Sequence, residues 1–177
     1  MIAGNAPGTA HPQTESPNMA GKQHSYRVTV EWTGNRGLGT PNRAGYGRDH
    51  TIAAGTKPPI AGSSDPAFRG DPARWNPEEL LLASISACHK LWYLDLCARA
   101  GISVVRYRDE AEATMTEEPN GTGRFVSAVL HPRIAIQAGG DIGKAHRLHL
   151  EAHDFCFIAN SVNFPVTCEP IITFSES

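Results

Sequence analysis

From Ser25 onward the chain alternates. Tyr26, Val28, Val30 and Trp32 are separated by polar residues, the period-two pattern of a half-covered strand. A Gly/Asn-rich stretch follows, and residues 50–54 read as a second strand. Residues 55–75 form a long Pro/Gly-rich connection, and a loop of that length in a compact domain more often serves function than idles. The pattern then changes period. Asn76-Pro77-Glu78-Glu79 opens a helix: Asn76 is an N-cap, Pro77 suits the first helical position, and Glu79 stands three residues after the cap, as a capping box requires. The segment ELLLASISACHKLWYLDLCARA is apolar on nearly every face until Gly101 stops it. About 24 helical residues span roughly 36 Å, too long to bury on all sides of one small domain. A homodimer that sandwiches the helix is the simplest expectation.

Residues 102–116 alternate again and predict a strand, turned by Glu118-Pro119-Asn120-Gly121 into a return strand over 125–136. Asp141 caps a second helix through Phe155, a short third helix follows Cys156, and residues 165–174 read as a last strand containing Cys168. This order predicts an α+β fold rather than an alternating β/α one. Residues 1–23, rich in Pro, Gly, Asn, Ser and Thr, read as a disordered tail with an alternative start at Met19, which leaves 24–177 as one domain.

Composition narrows the function. Sixteen Lys and Arg against eighteen Asp and Glu leave a net charge of −2, and no basic stripe is present to hold nucleic acid or an anionic membrane. No apolar run reaches the roughly 20 residues of a membrane helix, and the N-terminus has neither the basic start nor the apolar run of a secretory signal. A cytoplasmic protein with reduced cysteines is expected. Its four cysteines, Cys88, Cys97, Cys156 and Cys168, contain no CxxC pair, so a zinc-ligand framework is not expected. His146, His149 and His153 fall on one helix face, but without a cysteine or carboxylate at suitable spacing they read as an exposed polar face rather than a metal site. No metal or cofactor is called for.

Cys88 lies mid-helix in SISACHKL, and Cys156 opens CFIANSV beside a new helix start, a position that lowers a thiol pKa. Either could be a small buried hydrophobe. Together, NPEELLLASISAC and, 68 residues after Cys88, the Cys156 of AHDFCFIANSVNFPV resemble the OsmC/Ohr family of osmotically inducible and organic-hydroperoxide-resistance thiol peroxidases. The resemblance implies antiparallel sheets around a long buried central helix, an intertwined homodimer and a peroxiredoxin-type activity on organic hydroperoxides. It implies that Cys88 is the peroxidatic cysteine, which becomes a sulfenic acid, and that Cys156 resolves it to an intramolecular disulfide. Dihydrolipoamide or a lipoylated protein would then restore the dithiol.

The resemblance also implies an arginine and a carboxylate. Glu78 matches the carboxylate. Arg48, in YGRDH, matches the arginine, with Arg69 the second candidate and Arg74 nearer still to the helix. The chemistry agrees: a buried thiolate needs a cation, and an arginine stays charged while it hydrogen-bonds peroxide oxygens. Ten helical residues separate Glu78 from Cys88, about 15 Å, so Glu78 is expected to act on the partner's cysteine across a dimer interface. Trp75, Trp92, Phe155, Phe157 and Phe164 surround the two cysteines in sequence; lining a cleft, they would favour bulky hydroperoxides. Cys97 and Cys168 read as structural. The alternatives are a redox sensor or small-ligand binder on the same fold, and a hydrolase using Cys88, His153 and Asn160.

Overall fold

The computed structural model describes residues 21–176; the tail reading for 1–20 lies outside the described residues. The element order is α+β, as the sequence predicts, with the long strands divided. Strands β1 (Thr29–Trp32), β2 (His50–Ala53) and β3 (Ile60–Gly62) precede helix α1 (Pro77–Arg99). Then come β4 (Val104–Asp109), β5 (Glu112–Glu117), β6 (Gly123–Leu130), β7 (Pro132–Ile136), helix α2 (Ile142–Phe155), β8 (Val166–Cys168) and β9 (Ile171–Phe174). The connection over 55–75 holds a short strand, β3, and a single 3-10 turn at Pro66–Phe68. The third helix is likewise one 3-10 turn, Ala159–Ser161.

Each of the three predicted long strands bends midway and passes into a second sheet. β4 pairs antiparallel with β7 and β5 with β6, but β9 joins β7 and β8 joins β6 in parallel, so these two sheets are mixed rather than antiparallel as expected. Two breaks have a residue-level cause: Pro132 and Pro170 lack the N–H that an unbroken ladder needs. At the third, the Asp109 side chain takes up the His131 backbone N–H at 2.8 Å, satisfying a donor that the interrupted ladder leaves free.

α1 starts as predicted. The Asn76 side chain accepts from Glu79 N–H (2.7 Å), and the Glu79 carboxylate accepts from Asn76 N–H (3.2 Å). It ends where Gly101 adopts φ 75°, with Ile102 N–H donating to Cys97 C=O (2.9 Å) and Gly101 N–H to Ala98 C=O (3.2 Å). That pair of bonds is a Schellman stop, which needs a residue tolerant of the left-handed conformation. Asn76→Ala is expected to cost about 1 kcal/mol in urea unfolding; an unchanged midpoint would show that the box contributes nothing.

Within one chain α1 is not buried all round. Only Ile85, His89, Tyr93, Leu96 and Cys97 are buried, a single stripe at three- and four-residue spacing, and Leu91 is 63% exposed. That stripe packs with α2 on the β4–β7–β9 sheet, where Ile134, Ile136 and Leu148 complete the core. Full burial of one such side chain stabilises by about 1.5–3 kcal/mol. Cys97 lies in this core, as its structural reading requires. The β1–β2–β3 sheet differs: every residue of β1 is exposed, and Val28 and Val30 are each 63% exposed. Among the described residues no helix is long and apolar enough to cross a membrane.

Candidate active site

Cys88 and Cys156 come together. Cys88 sits half-buried on α1, and Cys156, fully buried, caps the C-terminal end of α2. The chain doubles back there: Cys156 N–H donates to His153 C=O (3.1 Å), and Asn160 N–H donates to Cys156 C=O (3.0 Å). The 3-10 turn that follows points Ala159 N–H at Cys156 Sγ (3.4 Å). Both thiols are free.

Burial pushes the Cys156 thiol up to about 11, and the neighbouring Cys88 thiol pushes the same way, while the Ala159 and Ile158 N–H groups act in the opposite direction. The expectation of a lowered pKa here is therefore reversed. The new helix is one short turn, and its two N–H groups do not offset desolvation. Since the fold prefers the neutral thiol, its contribution to stability is complete below about pH 9 and is lost as pH rises towards 11. At pH 8 roughly one thiol in a thousand would be thiolate. Iodoacetamide is expected to modify Cys156 of the reduced, folded protein about 100-fold more slowly than the unfolded chain, accelerating about tenfold per pH unit up to pH 10. Equal rates at pH 8 would contradict this environment.

Three of the five aromatics gather at the cysteines. Trp92, one helical turn after Cys88, stacks on Phe155 (centroids 5.1 Å apart) and meets Phe157 edge-on (5.6 Å). Phe155 and Phe157 flank Cys156 in sequence and remain largely exposed, so the rings present an apolar surface beside the thiols. Trp75 instead lines a separate cavity of about 440 Å³ with Ser86, Lys90 and Asp109. Phe164 packs on Phe125 (5.5 Å).

The charged groups do not converge within the chain. The Arg48 guanidinium donates to the C=O groups of Tyr46 (2.6 Å) and Arg43 (2.7 Å) and lies 4.1 Å over the Tyr46 ring. Arg74 bridges Asp49 (3.6 Å) and Asp71 (3.5 Å), bracing the loop before α1. Arg69 is exposed at the end of the Pro66–Phe68 turn. Glu78 is half-buried in the first turn of α1, and its Oε2 is buried with no hydrogen-bond partner among the described residues. Asn160 donates its side-chain amide to Asp154 C=O (2.9 Å), an arrangement that commits it to the loop rather than to an imidazole.

One cluster corrects the sequence reading. His149 does not share an exposed face with His146 and His153: it is 3% exposed and turned inward. Its Nδ1 is hydrogen-bonded to Nε2 of buried His89 at 2.9 Å, and Cys168 Sγ lies 3.6 Å from each nitrogen. Tyr93 stacks on the His149 ring (3.8 Å). Burial pulls His89 down to about 4 and His149 to about 3, so both are neutral at pH 7. Burial first, then the Asp109 and Glu169 charges, pushes Cys168 up to about 12. Chain spacing hides this cluster because its members come from α1, α2 and β8. The available hint was the two consecutive polar-capable residues of Cys88-His89, which a buried helix must turn to different neighbours.

The OsmC-like protein family model matches residues 70–170, from the end of the long connection through α1 to β8. The chain belongs to the OsmC-like family. Among solved structures it is similar to an OsmC-like protein of unknown function from Vibrio cholerae, at 27% identity and TM-score 0.75, covering 84% of this chain and 100% of that one. It also shares its fold with an organic hydroperoxide resistance protein from Elizabethkingia anophelis (17% identity, TM-score 0.62, 87% and 99% coverage). OhrB of Bacillus subtilis, another organic hydroperoxide resistance protein, gives 18% identity, TM-score 0.57 and 85% and 98% coverage. Comparison with curated proteins finds no match. The OsmC-like assignment thus rests on the segment that contains both Cys88 and Cys156.

Proposed function

We propose that this OsmC-like chain is a thiol peroxidase that reduces organic hydroperoxides through Cys88 and Cys156. The observation that carries the reading is the approach of two free thiols, from mid-α1 and from the end of α2, beside an exposed aromatic surface. The Cys88 thiolate attacks the distal peroxide oxygen; the O–O bond breaks, the sulfur is oxidised to sulfenic acid, and the alkoxide leaves and takes a proton to become an alcohol. The Cys156 sulfur then attacks Cys88 sulfur, an S–S bond forms, and the sulfenic oxygen leaves as water with the Cys156 proton. A dithiol such as dihydrolipoamide returns both cysteines to thiols by exchange and is itself oxidised to its disulfide. Trp92, Phe155 and Phe157 favour an organic R group over the bare hydrogen peroxide molecule.

The cation that this chemistry needs comes from a second copy of the chain in this reading. The exposed apolar residues of the β1–β2–β3 sheet and the exposed Leu91 side of α1 support a homodimer. In such a dimer Arg48 would reach the partner's thiolate and stabilise the departing alkoxide, with two of its five donors already fixed by the loop carbonyls. The Oε2 of Glu78, buried without a hydrogen-bond partner among the described residues, supports the same arrangement, since a buried carboxylate oxygen calls for a cation.

The test is turnover of cumene hydroperoxide against hydrogen peroxide with dihydrolipoamide as reductant. The expected result is continuous consumption, with cumene hydroperoxide preferred at least tenfold in kcat/KM. Oxidation of the protein once, with no dithiol-supported turnover, would make it a redox sensor and overturn the peroxidase reading.

A further inference from the structure

We propose that His89, His149 and Cys168 form a zinc-binding site that joins α1, α2 and the end of β8. This inference is independent of the peroxidase reading, since none of its residues belongs to the thiol pair. His89 follows Cys88 in sequence, but it is buried while Cys88 is only half-buried, so consecutive residues serve two separate centres.

The donor set is the first argument. Two imidazoles and a thiolate suit a borderline-soft d10 cation, and one ligand atom from each residue lies within 4.8 Å of the others. The distances are the second. A tetrahedral zinc with bonds of about 2.05 Å to nitrogen and 2.3 Å to sulfur holds its two nitrogens about 3.3 Å apart and each nitrogen about 3.6 Å from the sulfur. Both nitrogen–sulfur separations already have that value, 3.6 Å. The nitrogens stand 2.9 Å apart, hydrogen-bonded through one imidazole proton, with the rings within 8° of parallel. Zinc entry replaces that proton by opening the pair about 0.4 Å and turning both rings towards Cys168. The thiol proton leaves, and the imidazole proton moves to an outer ring nitrogen.

Access and coordination number give the third argument. His149 and Cys168 form part of the wall of a cavity of about 600 Å³ between α2 and β8. An ion with three protein ligands keeps its fourth position towards that space, for water or a small anion.

The full chain, reduced and then exposed to excess zinc chloride and desalted, is expected to retain one zinc per chain by mass spectrometry of the metal. The Cys88→Ser/Cys156→Ser double variant is expected to retain it equally, and Cys168→Ser and His149→Asn to fall below about a tenth of that. Tm of the double variant should rise by roughly 5–10 °C at a hundredfold excess of zinc over Kd, with no rise for Cys168→Ser. Cobalt(II) in the double variant should give a thiolate-to-metal charge-transfer band, a readout that does not require the Cys168 variant to fold. Substoichiometric zinc in the native chain overturns the site, as does zinc kept by folded Cys168→Ser or lost from the double variant. Absence of the thiolate band in the cobalt-treated double variant also overturns it.

Discussion

Cys88→Ser is expected to lower dithiol-supported hydroperoxide turnover by at least about 1,000-fold, to the rate of the uncatalysed mixture. A serine hydroxyl at neutral pH supplies neither the ionised nucleophile nor the sulfur that can carry the transferred oxygen. Cys156→Ser behaves differently. Its first reaction with peroxide is expected to proceed at the native rate, because in the proposed mechanism the peroxide reacts at Cys88. Without Cys156 the sulfenic acid then persists, and excess peroxide drives it to the irreversible sulfinic acid. The variant should lose activity within a few turnovers, with a mass gain of two oxygens on the Cys88 peptide. Equal activity of Cys156→Ser and the native protein over many turnovers would remove Cys156 as the resolving residue. The raised pKa of Cys156 slows the resolving step, because its sulfur attacks as the thiolate, and the proton it gives up is the one the departing oxygen takes as water.

The second large effect concerns the dimer. Val30, 63% exposed and opposite Ile52 in the β1–β2 ladder, lies in the apolar N-terminal sheet. Val30→Asp places a charge where the proposed partner would desolvate it. A cost of about 2–4 kcal/mol corresponds to a 30- to 1,000-fold weaker dimer. Light scattering should show the native chain at twice its 19.1 kDa mass and the variant shifted towards the monomer at micromolar concentration. Turnover should fall with dimer fraction, because Arg48 and Glu78 act on the partner's cysteine in this reading. A fully active monomeric variant would remove the shared site and leave Arg48 as a loop residue, held by the carbonyls of Arg43 and Tyr46.

What was legible in the sequence was what local rules dictate. Asn76, Pro77 and Glu79 specify the start of α1 through bonds within four residues, and Gly101 specifies its stop through one backbone angle. Asn120-Gly121 closes the β5–β6 hairpin with Gly121 at φ 83°. The alternating segments were recognisable as strands, but their bends were not. Alternation runs through a bend unchanged, and only the prolines at 132 and 170 mark where the ladder changes sheets. The histidine cluster was hidden for a related reason. His149 shares its helix with exposed His146, and only the packing of α1 beneath it shows that the face divides. The Cys156 environment depended on how deeply the α2 terminus is buried, which no spacing encodes. Arg48 and Glu78 were suggested by resemblance, and within a single chain neither touches Cys88; the reading that unites them is a property of two chains.

The most direct test of the central claim is treatment of the reduced protein with one equivalent of cumene hydroperoxide, followed by non-reducing peptide mass spectrometry. A Cys88–Cys156 disulfide formed within seconds, with Cys97 and Cys168 still free, is the predicted result. Free thiols at both Cys88 and Cys156, or a reaction confined to Cys97 or Cys168, would contradict the account.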